Sequence, residues 1–132
     1  MSADCEPRFI GVDVARAVHD RQLAEHGGLA GVKEEGLLEA AMARPLNKFG
    51  YGETDRCALA AAYAFGIARN HPFADGNKRT AWVMARLFLK LNDVEIAFDK
   101  ADAIRTMLAL AAGELDEAAL AEWFRAHLVS VD

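Results

Sequence analysis

The 132-residue chain has only two cysteines, Cys5 and Cys57, and no apolar run that approaches a membrane span. Two thiols cannot build the multi-bridge framework of small secreted domains, and their separation fits no metal-ligand spacing. A bilayer-crossing helix needs roughly 18 or more consecutive apolar residues, so no membrane partner is expected. The stretch Met1 to Glu6 has neither a basic region nor an apolar core, and no secretory leader is expected either. Positive charge is also in deficit: fifteen basic residues stand against twenty acidic ones, a net charge of −5. Proteins that hold phosphate backbones carry the opposite surplus, which argues against direct nucleic-acid binding. Repeats, low-complexity tracts and interdomain linkers are missing as well. The expectation is a single domain over residues 1–132, in the cytoplasm.

What is present is alanine and leucine at helical spacing almost throughout. Asp13 can cap a first helix that runs to about His26, where Gly27 and Gly28 stop it. A second helix covers about Glu34 to Ala43 and ends before Pro45. Leu46 to Thr54, with Gly50 and Gly52 in it, reads as a loop or short hairpin. Asp55 caps a third helix to about Arg69, with Leu59, Tyr63 and Ile67 along one face, and Gly66 marks a close neighbour. A fourth helix runs from near Asn77 to about Leu91, with Ala81, Met84, Leu87, Phe88 and Leu91 inward and Asn92 as its C-cap. Val94 to Phe98 alternates with period two and suits a short extended stretch. Asp99 and Asp116 open two further helices, the first ended by Gly113, and Leu115 with Leu120 has the spacing of a hydrophobic staple. The fold class is all-α, a compact bundle of about six helices.

The chemistry concentrates between the third and fourth helices, in His-Pro-Phe-Ala-Asp-Gly-Asn-Lys-Arg from His71 to Arg79. A loop there delivers its residues onto a helix N-terminus, where unpaired N–H groups and the dipole favour an anion. Gly76 lets a phosphate approach the backbone, and Asn77, Lys78 and Arg79 add an amide donor and two cations. Asp75 repels phosphate unless it holds Mg2+, a cation that binds through one or two carboxylates plus substrate phosphates. Imidazole, as in His71, is well matched to taking a proton from a hydroxyl at neutral pH. Phe73, apolar within a polar loop, suits an anchor into the core. Singly, His71 could be a helix C-cap, Asp75 an N-cap, and Lys78 and Arg79 a solvated first turn. Cations in a first turn oppose the helix dipole, however, and the combination within nine positions favours a phosphate cradle. No P-loop is present, because Asn77 intervenes after Gly76, and no Gly-x-Gly-x-x-Gly follows a strand. His19 and His26, seven apart, could share a metal, but without an evident third ligand they read as solvated.

The segment from His71 to Arg79 closely resembles the signature loop of the Fic/Doc superfamily, and fills every fixed position of it. Gly36 to Pro45 and Ala61 to Asn70 resemble the flanking helices of its death-on-curing (Doc) branch. The resemblance implies a Fic-like bundle with His71 as general base, Asp75 as metal carboxylate, Gly76, Asn77 and Arg79 as phosphate turn, and Phe73 as anchor. Lys78 stands where AMP-transferring Fic proteins usually have Gly, which implies the Doc reaction: transfer of the γ-phosphate of ATP, with Mg2+, to a threonine of elongation factor Tu. Gly76 departs from the Doc branch towards Fic. AMP transfer by the same residues, or a catalytically silent nucleotide- or antitoxin-binding module, are the alternatives. In the family a flap aligns the target by strand pairing. Leu46 to Thr54 stands where that flap is expected, with Phe49, Gly50, Tyr51 and Gly52 as candidates, although an ordinary helix connection fits the residues equally. The self-inhibitory Fic string is broken here, since Ser2-x-x-x-Glu6 is followed by Pro7. Inhibition is therefore expected in trans, from a cognate antitoxin whose disordered C-terminal segment folds on docking.

Overall fold

A computed structural model describes residues 6–129, so Cys5 and the string beginning at Ser2 lie outside the described residues. Six helices follow in order: α1 Val12–His26, α2 Glu35–Gly50, α3 Arg56–Asn70, α4 Asn77–Leu91, α5 Lys100–Ala111 and α6 Glu117–Ala126. None of them is long and apolar enough to cross a membrane. Among the described residues there is no strand, only two isolated bridges, Val32 with Phe73 and Ile96 with Leu128.

α3 is the axis of the bundle and packs against α2, α4, α5 and α6. Its alanines let neighbours come close on every side, and Leu59, Tyr63 and Ile67 are fully buried. At Gly66 the approach is closest: a Cβ there would lie 3.1 Å from the Ala41 Cα of α2. The expected caps hold at three helices, where Asp55 accepts from Cys57 N–H, Asp99 from Asp102 N–H and Asp116 from Ala119 N–H. α1 starts two residues earlier than expected. Gly11 is its N-cap and Asp13 sits in the first turn, where its charge suits the dipole without capping.

The larger departure is α2, which does not stop before Pro45 but continues through it to Gly50. Proline lacks the N–H that would reach the Ala41 carbonyl, a local cost. Tertiary contacts offset it: Pro45 is buried, and Arg44 and Lys48 both meet Glu117 of α6, at 2.5 Å each. On α4, Ala81, Met84 and Phe88 point inward as expected, but Leu91 is 39% exposed and Leu89 takes the buried place. The extended stretch after α4 finds a partner near the chain end, with Ala97 N–H donating to His127 O and Val129 N–H to Glu95 O, both at 2.9 Å.

Candidate active site

The loop from His71 to Gly76 is carried by the C-terminal end of the most buried helix. His71 is the C-cap of α3, in the left-handed region at φ 50°, ψ 55°. Pro72 disfavours the right-handed helical region for His71, and a left-handed residue is a common way for a helix to end. The left-handed conformation costs roughly 1–2 kcal/mol for a residue with a Cβ. The His71 N–H donates to Ile67 O, and the imidazole is left exposed with no side-chain partner among the described residues. His71 is thus a helix cap in its backbone and an unpartnered imidazole in its side chain among the described residues.

Phe73 is the expected anchor, 1% exposed within the core. Its peptide groups are held by Asn77: Oδ1 accepts from Phe73 N–H and Nδ2 donates to Phe73 O, both at 3.0 Å. The Asn77 side chain, buried under the loop, is thus a staple for it, with one of its two amide N–H groups committed to Phe73 O. The Asn77 backbone N–H is a further donor at the start of α4. Gly76, at φ 73°, turns the chain into α4, whose first internal bond runs from Thr80 N–H to Gly76 O at 3.0 Å. The N–H groups of Asn77, Lys78 and Arg79 are therefore the unpaired donors of the helix start. Lys78 and Arg79 are exposed, and neither has an ion-pair partner among the described residues.

Asp75 is also exposed. Its Oδ1 accepts from Gly76 N–H at 2.8 Å and its Oδ2 from Leu29 N–H at 3.2 Å. Those two N–H groups, Leu29 first, with a smaller contribution from Arg79, hold its carboxyl below the ordinary value, so it is an anion at neutral pH. Each carboxylate oxygen keeps a free lone pair. No cluster of three or more His, Cys, Asp or Glu able to hold a metal exists among the described residues. A single carboxylate facing an anion cradle fits Mg2+ that arrives with substrate phosphates, and does not fit an all-protein metal cage.

Four of the residues expected to form a flap do not lie at this loop. Phe49 and Gly50 are the last turn of α2, and Tyr51 and Gly52 make the turn that leads to the N-terminal end of α3. The motif loop leaves the other end of that 15-residue helix, about 22 Å away along its axis. Phe49 packs edge-on against Phe9 at 5.6 Å, and Tyr51 is 94% exposed. The segment that does pair with the motif loop is 28–34. Ala74 N–H donates to Gly31 O at 3.1 Å, and Lys33 N–H to Pro72 O at 2.8 Å. Gly28 lies so close to Asp75 that a Cβ there would meet Oδ2 at 2.8 Å.

His19 was also misread. It is neither solvated nor paired with His26 but buried, stacked on Phe73, with Nε2 at 2.7 Å from Asp75 O. The signal for it was its position one turn after the buried Ala15, on the inner face of α1. Of the flanking residues, Asn70 donates to Leu37 O and Arg69 lies over the Phe65 ring, both structural contacts. Trp82 joins an aromatic cluster with Phe98 and Trp123 and faces a groove of about 380 Å3 beside the loop. Lys78, Arg79 and Lys100 line that groove together with Phe98, Ile104 and Leu108, and no acidic side chain among the described residues does.

The family model that matches is the Fic/DOC family, over residues 9–89. Protein kinase doc of Escherichia phage P1 is 35% identical over 119 residues, covering 89% of this chain and 94% of the phage protein. Toxin Doc of Mycolicibacterium smegmatis is 47% identical over 75 residues, covering 55% of this chain and 58% of that protein.

Proposed function

Because the chain belongs to the Fic/DOC family, we propose that it is a Doc-type toxin that phosphorylates a protein hydroxyl with ATP. One observation carries this reading. A single loop presents a free imidazole, an ionised carboxylate, unpaired helix N–H groups and two unpaired cations. The phage relative is named a kinase, which favours phosphate over AMP transfer.

His71 accepts the proton of the target hydroxyl as its oxygen attacks the γ-phosphorus of ATP. The new O–P bond forms as the bond to the β-phosphate oxygen breaks, ADP leaves, and the proton passes from His71 to solvent. Asn77, Lys78 and Arg79 N–H groups and the two side-chain cations offset the charge on the phosphates, a contribution made mostly by positioning and electrostatics. Asp75 is the residue to hold Mg2+, which when bound neutralises phosphate charge. Segment 28–34, paired with the loop through its backbone, is the edge on which a target peptide would align. The target we propose from the family is a threonine of elongation factor Tu, and its modification would arrest translation.

A cognate antitoxin is part of the same proposal. The groove beside Lys78 and Arg79 combines apolar walls with a cationic rim, which suits an acidic amphipathic segment that folds on docking. AMP transfer is the second reading, and Gly76, the Fic-like residue of the loop, is what favours it.

The test is to incubate the purified protein with ATP, Mg2+ and elongation factor Tu and to weigh the factor. A phosphate adduct absent with His71→Ala is the expected result. An AMP adduct supports the second reading, and no adduct on the factor overturns the proposed target. Lys78→Gly should shift the product towards AMP.

A further inference from the structure

His19 is a buried ionisable side chain at the motif loop that the transfer chemistry leaves unused. It belongs to α1, is 2% exposed, and reaches the loop across 56 residues of sequence. Its Nε2 faces the Asp75 carbonyl at 2.7 Å. A carbonyl only accepts, so this nitrogen carries the proton and donates. The ring lies flat on Phe73, with centroids 3.9 Å apart and planes at 7°. A Cβ at Gly76 would sit 3.8 Å from the same Nε2. One imidazole therefore touches the anchor, the carboxylate residue's peptide and the hinge.

The peptide between Asp75 and Gly76 is the critical unit. It is planar, so fixing its C=O also fixes the direction of its N–H. That N–H is the Gly76 donor to Asp75 Oδ1 at 2.8 Å. Glycine resists rotation less than any other residue, and at φ 73° it leaves this peptide free to flip unless something outside the loop holds it. His19 supplies that hold, while Leu29 N–H secures Oδ2 from the opposite strand of the loop.

We infer that His19 is a positioning residue for the transfer site: it locks the Asp75–Gly76 peptide so that the Asp75 carboxylate stays aimed at the cation. The part concerning the cation rests on the function proposed above; the part concerning the loop does not.

Two variants separate the donor from the ring. His19→Phe keeps a flat ring against Phe73 and loses the N–H, and His19→Gln keeps a donor and loses the stack. Nitrogen relaxation dispersion at the Gly76 and Leu29 amides, without nucleotide, reads the flip directly. Calorimetry with Mn2+ and ATP reads the aim of the carboxylate. In His19→Phe, exchange broadening should appear at both amides but not along α3, and Mn2+·ATP affinity should fall about tenfold, the usual scale for a group that orients a metal ligand. His19→Gln should restore both readouts towards wild type. Quiet Gly76 and Leu29 amides in His19→Phe would overturn the inference. So would broadening spread evenly over the protein, or a Gln variant as loose as the Phe one. If wild type itself does not bind Mn2+·ATP, the proposed function fails, and the dispersion data still decide the role of His19.

Discussion

Asn77→Ala distinguishes a staple from a phosphate ligand. The side chain is 8% exposed and makes two bonds of 3.0 Å to the peptide groups of Phe73, a residue itself 1% exposed. Truncation leaves one N–H and one C=O without partners. An unmet buried polar group costs about 1–3 kcal/mol, and two of them at the edge of an exposed loop total about 2–4 kcal/mol. That is a large share of the roughly 5–15 kcal/mol by which a domain of this kind is stable. Urea unfolding should show the midpoint falling with the slope unchanged, and the melting temperature should drop by roughly 10 °C. The competing assignment, an amide that binds phosphate, makes the opposite forecast: stability intact and nucleotide affinity lost. A stability change below about 0.5 kcal/mol, the ordinary range of an uninvolved surface site, would refute the staple.

Gly66→Val should destabilise the fold by about 1–3 kcal/mol in the same assay, the usual cost of overpacking; its Cβ would press on Ala41 at 3.1 Å. Gly28→Ala should displace the Asp75 carboxylate, since the new Cβ would lie 2.8 Å from Oδ2 at a φ of +125°. Calorimetry should then show the Mg2+ needed for half-maximal ATP binding rising about tenfold, and an unchanged requirement would count against Asp75 as the metal carboxylate. Because the folded state lowers the Asp75 pKa, the contacts of its carboxylate with Leu29 and Gly76 are present above the unfolded value and disappear only as pH falls through the lower, folded one. The Leu29 and Gly76 amide shifts should stay constant from neutrality to below about 4, the ordinary carboxylate range, and Asp75→Asn should abolish their acid titration. A titration at or above the ordinary value would refute the assignment.

What the sequence made legible was local. Asp55, Asp99 and Asp116 cap because a short acidic side chain reaches an N–H two or three residues on, and α4 was bounded by Gly76 before it and Asn92 after it. The motif loop was legible for the same reason, since its residues are contiguous from His71 to Arg79. What was missed depends on distant partners. Pro45 is a fair stop signal, and only Glu117, some seventy residues on, shows why the helix continues past it. Polarity alone cannot tell whether Asn77 serves a ligand or its own backbone. The loop's paired segment lies on the other side of α2 from the one expected, because the pairing of 28–34 with 72–74 is an isolated bridge of main-chain atoms, which leaves little trace in residue type.

That last feature bears on how such a protein can change over generations. The joint between segment 28–34 and the loop is made by Gly31 O, Pro72 O and the N–H groups of Lys33, Glu34 and Ala74. A proline at a donor position, a side chain at crowded Gly28, or a Cβ at Gly31, whose φ is +106°, interferes with it. Leu29, Ala30 and Lys33 are exposed and can drift without loosening the motif loop. Selection can therefore alter the side chains of this edge while the backbone of the motif loop stays the same, and a mutational scan should find tolerance at these three positions beside intolerance at Gly28.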